Sequence, residues 1–373
     1  MRRTGKTTLL RMVYNGIKSG NKAFLDLENP IERKAFEEED YNNIWENLSA
    51  FGVDRESRAF VFLDEVQACP GAVKAVKYLH DHYAVKFFLT GSSSFYLKNL
   101  FPESLAGRKA AYELRPLDFG EFLVFRGHGQ APHNEKGMKG WQGAKGINRV
   151  LYEKTKNLYA EYVRYGGFPQ VVLEGDAHRK REQISDIFKS YFEKDVKTLA
   201  DFRQINAFRD LILLLLQRIG SRADISKLAS EVGVTRETVY SYLSFLQGTY
   251  FFDLVPPYTR NVDREVSGSK KVYCADNGIA SVIGRAGEGS LLENAVYLNL
   301  KKYGEVRYYQ KRSGGEIDFV LPAQSAAIEV KSRACEGDAA RLHRTAASIG
   351  MKNSFVVSGA FSAGRGIISA AEI

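Results

Sequence analysis

Gly5-Lys6-Thr7 limits what this chain can fold into more than any other stretch. Followed by the helix-like run Thr8 to Val13, it reads as a phosphate-binding loop that leads into a helix. Such a loop turns backbone N–H groups inward around a β-phosphate, and the helix directs its positive end the same way. Gly5 and Thr8 belong to that backbone cradle. The Lys6 ammonium reaches the β- and γ-phosphates, and the Thr7 hydroxyl ligates Mg²⁺. The pattern G-x-x-x-x-G-K-[ST] puts its first glycine, and the strand that delivers the loop, before Met1. The sequence therefore predicts weak or no nucleotide binding by a chain that begins at Met1.

A loop of this kind needs carboxylates at the end of a neighbouring strand. Arg58-Ala-Phe-Val-Phe-Leu-Asp64-Glu65 has four apolar residues in a row, as in a strand buried on both faces of a parallel sheet. Asp64 is placed to hold Mg²⁺, and Glu65 to polarise the attacking water. The bland alternative is a strand entering a helix through an acidic cap. A second buried strand, Val85 to Leu89, leads into Thr90-Gly-Ser92, which makes Thr90 and Ser92 candidate γ-phosphate sensors. The competing reading is a serine-rich helix cap. Arg108, after a short loop, is a candidate finger reaching the ATP of a neighbouring subunit, with a surface arginine as the alternative.

A second set of charged residues lies near the C-terminus. Glu316-Ile-Asp318-Phe-Val-Leu and Ala327-Ile-Glu329-Val-Lys331 read as two strands of a hairpin. Alternation puts Glu329 and Lys331 on one face, with Asp318 opposite them. Two carboxylates there suit Mg²⁺, and a lysine beside the metal suits activation of water. Glu293 on the preceding helix is a further candidate ligand. An exposed hairpin with solvated charges is the alternative reading.

Between these regions, Gly127 to Gly146 reads as a flexible linker, and Ile147 to Leu199 as helices broken at Gly166-Gly167-Phe-Pro169. Asp224 to Leu246 has a helix-turn-helix pattern, with Gly233 in the turn and Thr235 as a cap. Arg236, Glu237, Tyr240 and Ser241 are expected on its exposed face. One cation among four leaves a DNA-reading helix and a protein contact evenly matched. The net charge of +9 favours an acidic partner such as DNA. Cys69, Cys274 and Cys335 match no zinc or redox spacing. No apolar run approaches the roughly 20 residues that cross a bilayer. A cytoplasmic location without membrane attachment is the expectation.

Several segments occur here in the order found in one large protein family. They are Gly5 to Leu10, Phe62 to Gln67, Leu89 to Ser93, Ser104 to Arg108 and Leu114 to Leu123, followed by Tyr165 to Pro169, Tyr191 to Asp195, Tyr273 to Gly278, Leu291 to Asn294 and Glu316 to Phe319. The chain resembles the prokaryotic AAA-type P-loop ATPases with a C-terminal PD-(D/E)xK nuclease-like domain of uncharacterised function. The resemblance implies an α/β protein in four parts. These are an AAA-type parallel-sheet core over 1–125, lacking its first strand, and a linker with a helical lid over 126–205. A winged helix over 206–262 and a restriction-endonuclease-like α/β domain over 263–373 complete it. It further implies ATP and Mg as cofactors, assembly of subunits through Arg108, and ATP hydrolysis coupled to nucleic-acid binding or Mg-dependent cleavage. The alternative is a nucleotide-dependent switch whose nuclease-like domain only binds DNA or protein.

Overall fold

The structure is a computed structural model that describes residues 2–91, 110–129, 138, 141, 147–196, 204–259, 265, 268–311 and 314–373. It divides into two compact units. One comprises residues 1–115, 193–200 and 248–250, and the other residues 116–192, 201–247 and 251–373. Ser92 and Arg108, both expected at the nucleotide site, lie outside the described residues.

In the first unit, β1 (Lys22–Asp26), β2 (Ala59–Asp64) and β3 (Val85–Leu89) form a parallel sheet in that spatial order. The central strand is buried along nearly its whole length. That is why its apolar residues run continuously rather than alternate. Phe62 stacks on Phe88 at 4.4 Å between ring centres, and Tyr14 meets Phe62 edge-on at 5.3 Å. Tyr14 belongs to α1 (Lys6–Gly16). The last turn of that helix is closed by Lys22, whose ammonium donates to the carbonyls of Tyr14 and Ile17 at 2.9 and 2.6 Å. Tyr14 O also accepts from Ile17 N–H at 3.3 Å, and carbonyls at a helix C-terminus attract a cation. The acidic stretch that follows β1 forms two helices, α2 (Pro30–Lys34) and α3 (Tyr41–Ser49). Asp40 breaks the run by capping α3, accepting from Asn42 N–H at 2.9 Å. α4 (Ala72–His82) completes the core with Ala75, Val76 and Leu79.

The second unit begins with α5 (Phe119–Phe125), α6 (Arg149–Tyr165), α7 (Pro169–Leu173) and α8 (Ala177–Ser190). Met138 and Trp141 lie inside the glycine-rich stretch expected to be a linker, yet both are buried in the core of this unit. Next come α9 (Ile205–Gln217), α10 (Ile225–Val232) and α11 (Arg236–Gly248). Gly233, at φ 69°, ends α10, and the Thr235 hydroxyl accepts from Thr238 N–H to start α11. Val239, Tyr242, Leu243 and Leu246 are buried, while Arg236, Glu237, Tyr240 and Ser241 are exposed. β4 (Phe252–Val255) pairs antiparallel with β5 (Lys271–Cys274).

The chain continues through α12 (Asn277–Val282) and α13 (Glu288–Leu300) to a five-stranded mixed sheet. Its strands are β6 (Arg307–Gln310), β7 (Glu316–Leu321), β8 (Ala326–Lys331), β9 (Asn353–Ser358) and β10 (Ile367–Ser369), with α14 (Glu336–Ser348) between β8 and β9. β6, β7 and β8 run antiparallel, whereas β8, β9 and β10 run parallel. Phe319, Ile328, Phe355 and Val357 share one core with Ala295, Val296 and Leu300 of α13. Val320, Ala327 and Val356 share another with Leu342 and Ala346 of α14. The sheet is thus covered on both faces.

Four of the sequence motifs interlock in this unit. The buried Asp276 carboxylate accepts from Gly167 N–H at 2.8 Å and from Ile279 N–H at 3.1 Å. Asn277 donates to the carbonyls of Val163 and Leu291, and Asn294 donates to the Asn277 side chain at 2.7 Å. Gly167 O in turn accepts from Leu117 N–H at 2.8 Å. Gly166 has φ 75°, and a Cβ there would lie 2.2 Å from Asp276 Oδ2. Both backbone conformation and space therefore require glycine.

Gly166→Ala is expected to destabilise the protein by about 3 kcal/mol or more, because an unfavourable φ adds to a clash with a buried carboxylate. Urea denaturation measures the loss, and a change under about 0.5 kcal/mol would contradict the packing described. A second prediction concerns pH. Burial raises the Asp276 carboxyl from its ordinary 3.8 to about 6, against the lowering effect of its backbone N–H donors. Between those values the folded protein holds a proton that the unfolded chain has released. The associated stability is complete below the lower value and is lost as pH rises through the higher one. The wild type should lose up to about 3 kcal/mol relative to Asp276→Asn between pH 4 and 7. Parallel denaturation midpoints for the two proteins would refute this.

Candidate functional site

Gly5 takes φ 95° and precedes α1, so Lys6 is the first helical residue. No heavy atom lies within 4 Å of where a Gly5 Cβ would sit. The demand for glycine there is conformational rather than steric. No side chain caps α1. The first-turn N–H groups of Lys6, Thr7 and Thr8 point out of the helix end, an arrangement that suits an anion.

Asp64 and Thr90 are brought together by the pairing of β2 with β3. The Thr90 hydroxyl donates to Asp64 Oδ1. Glu65 N–H lies 3.2 Å from both Asp64 Oδ1 and Thr90 Oγ1. Glu65 itself sits at φ 52°, in the left-handed region that side chains disfavour. Burial depresses the Lys6 pKa, Glu65, Asp195 and Asp64 oppose that, and Arg2 reinforces it. Lys6 therefore shares one electrostatic environment with the two carboxylates that the sequence assigned to the same site.

Sequence reasoning passed over Arg2 and Glu28. Arg2 pairs with Glu28 at 3.2 Å, with Asp195 at 3.3 Å and with Glu65 at 4.0 Å. Burial works against its charge, but Asp195, Glu65 and Glu28 outweigh it and raise its pKa. Asp195 ends the motif Tyr191-Phe-Glu-Lys-Asp195, which forms a π-helical turn over Tyr191–Val196. That motif was the available signal, because nothing in local periodicity explains an aspartate with 1% exposure. Neighbouring Lys194 pairs with Glu28 at 3.3 Å.

In the second unit, the Lys331 ammonium lies 2.7 Å from Glu329 Oε1, and Arg341 lies 3.7 Å from the same oxygen. Asp318 occupies the adjacent strand, and its Oδ2 accepts from Val330 N–H at 2.8 Å. Burial, and then the neighbouring Glu293, raise the Asp318 carboxyl to about 7 against the opposing pull of Lys271. Glu293 is carried by α13, and its Oε1 accepts from the Tyr273 hydroxyl at 2.6 Å. The same oxygen lies 3.2 Å from the Lys271 ammonium. Lys271 also pairs with Glu316 at 2.5 Å and with Asp318 at 3.7 Å. Burial works against this ammonium, but Glu293, Asp318 and Glu316 raise its pKa. Lys271 and Glu316 were not among the residues expected from sequence. The signal available for Lys271 was its place two residues before Tyr273, at the head of the motif Tyr273 to Gly278.

Mg²⁺ takes oxygen ligands at about 2.0–2.1 Å, commonly one or two carboxylates beside substrate phosphates. Thr7 and Asp64 provide a donor set of that chemistry, with Asp64 oriented by Thr90 and by Glu65 N–H. The second-unit carboxylates fit such an ion poorly, because an ammonium already lies among them. Among the described residues, no group of three or more His, Cys, Asp or Glu is arranged to hold a metal ion. No helix of the described residues is long and apolar enough to cross a membrane.

Comparison with known proteins bears on these regions separately. Residues 1–123 match the AAA domain family. Residues 156–288 match a domain of unknown function, DUF8612, and residues 288–360 match another, DUF4143. An uncharacterized protein of Methanocaldococcus jannaschii is 27% identical over 334 residues, spanning 86% of this chain and 70% of the relative. One from Haemophilus influenzae is 26% identical over 333 residues, spanning 86% and 77%. One from Mycobacterium tuberculosis is 22% identical over 280 residues, spanning 74% and 53%. The chain thus carries an AAA, P-loop-ATPase-like domain at its N-terminus and a DUF4143 domain towards its C-terminus.

Asp195→Asn keeps the shape of the side chain but removes the charge that faces Arg2. A loss of about 1.5–3 kcal/mol is expected, the range for hydrogen bonds to charged groups. Thermal denaturation of the two proteins tests this, and unchanged stability would show that the pair contributes nothing.

Proposed function

We propose that this protein binds Mg-ATP at Gly5–Thr8 and hydrolyses it. The observation that carries the reading is the convergence of Lys6, Asp64, Glu65 and Thr90 at the first turn of α1 and the C-terminal ends of β2 and β3. Open parallel sheets bind ligands at that edge. Lys6 holds the β- and γ-phosphates, and the N–H groups at the start of α1 bind their oxygens. Thr7 and Asp64 hold Mg²⁺, which supplies positive charge beside the transferring phosphoryl group. Glu65 orients and polarises the attacking water, and Thr90 fixes Asp64 from the neighbouring strand.

In this reading, residues 206–262 act as a winged helix and residues 263–373 as a nuclease-like domain that binds nucleic acid without cutting it. Support comes from the net charge of +9. ATP hydrolysis would then be coupled to engagement of a nucleic-acid partner. The rival reading, Mg-dependent cleavage by Asp318, Glu329 and Lys331 with Glu293, is supported by the closeness of Lys331 to Glu329 and of Asp318 to β8.

Binding of a fluorescent ATP analogue and release of phosphate test the first part. Lys6→Ala should remove binding, and Glu65→Gln should keep binding while lowering turnover by about 10²-fold or more. Turnover unaffected by Lys6→Ala would sink the ATPase assignment. Incubation with DNA and RNA in Mg²⁺ or Mn²⁺ tests the second part. Retarded migration without cleavage is expected, and cleavage that disappears in Lys331→Ala would establish the rival reading.

A further inference from the structure

We infer that Lys271 is the resident cation of the carboxylate cluster in the second unit, standing where a divalent metal would have to bind. The inference deepens the non-cutting reading of this domain and rests on it. Its observations are geometric. The Lys271 ammonium lies 3.2 Å from Glu293, 2.5 Å from Glu316 and 3.7 Å from Asp318. These three acids come from α13 and β7, so the ammonium links the two elements.

Lys271 is fixed rather than swinging in from solvent. Its residue is 3% exposed. Its backbone lies in β5, opposite Val255 of β4, and forms a further bridge with Arg222. The ammonium also lies 5.8 Å from the centre of the Tyr308 ring.

One oxygen of each carboxylate is engaged as well. Asp318 Oδ2 accepts from Val330 N–H, and Glu293 Oε1 accepts from both Lys271 and the Tyr273 hydroxyl. Glu329 is paired with Lys331 and Arg341. A divalent ion bound to Asp318 and Glu293 would sit within a few ångströms of a buried ammonium, where like charges repel strongly. The single charge of lysine instead offsets part of the cluster's negative charge and needs no ion from solution. The consequence is a nuclease-like site that lacks metal-activated water, even though its Asp318, Glu329 and Lys331 remain in place.

Mn²⁺ titration of the full chain, followed by electron paramagnetic resonance, tests this. An Asp64→Asn background keeps the N-terminal site out of the measurement. The parent should bind no Mn²⁺ that Asp318→Asn abolishes. Lys271→Met, which keeps the stem and removes the charge, should acquire a Mn²⁺ site at least about tenfold tighter than any in the parent. That new site should vanish when Asp318→Asn is added, and Lys271→Arg should not create it. Mn²⁺ bound by the parent and lost on Asp318→Asn would overturn the inference, as would a folded Lys271→Met that gains no site. If Lys271→Met does not fold, the parent and its Asp318→Asn variant still decide. Nucleic-acid retardation is read separately, so failure of the metal prediction is distinguishable from failure of the binding role.

Discussion

The Asp276 carboxylate is the interaction on which the second unit depends. It caps α12 and also receives the N–H of Gly167, just past the end of α6. Helix end, loop and helix start therefore share one acceptor. Asn277 and Asn294 extend the arrangement to α13 and β5. Every polar group in this junction is removed from water, so each must find its partner inside the protein. Such a junction admits few alternatives, and it sets the place of α13, which carries Glu293.

Both units gather carboxylates around cations withdrawn wholly or partly from solvent, but with different outcomes. Arg2 and Lys6 face Glu28, Asp64, Glu65 and Asp195 at the start of a helix, where one end remains suited to an anion. Lys271 faces Glu293, Glu316 and Asp318, with only Glu316 exposed at the surface. The same Coulomb attraction thus acts beside a helix start in one cluster and around an enclosed ammonium in the other. Position relative to a helix end, rather than the count of charges, makes the difference.

Much of the first unit was legible in the sequence because its signals are local. Continuous apolar runs marked β2 and β3, and Gly5-Lys6-Thr7 marked the start of α1. Asp224, Gly233 and Thr235 marked the ends of α10 and the beginning of α11 for the same reason, since caps act within one turn. Arg2, Asp195 and Lys271 were not legible as site residues. Their partners lie far away in the chain: 193 residues separate Arg2 from Asp195. Periodicity carries no information about such contacts. Met138 and Trp141 show a related limit, because a glycine-rich composition masks single anchors that reach a core.

Glu65 holds its carboxylate on a backbone turned to φ 52°, stabilised by the Asp64 and Thr90 acceptors of its N–H. Such a conformation costs on the order of 1 kcal/mol for a residue with a side chain. Glycine would relax that strain and remove the carboxylate at once. Selection for stability alone would therefore erode this position, whereas selection for a water-activating acid would keep it. On the proposed function, the strained residue is a point where folding and chemistry make opposing demands on one side chain.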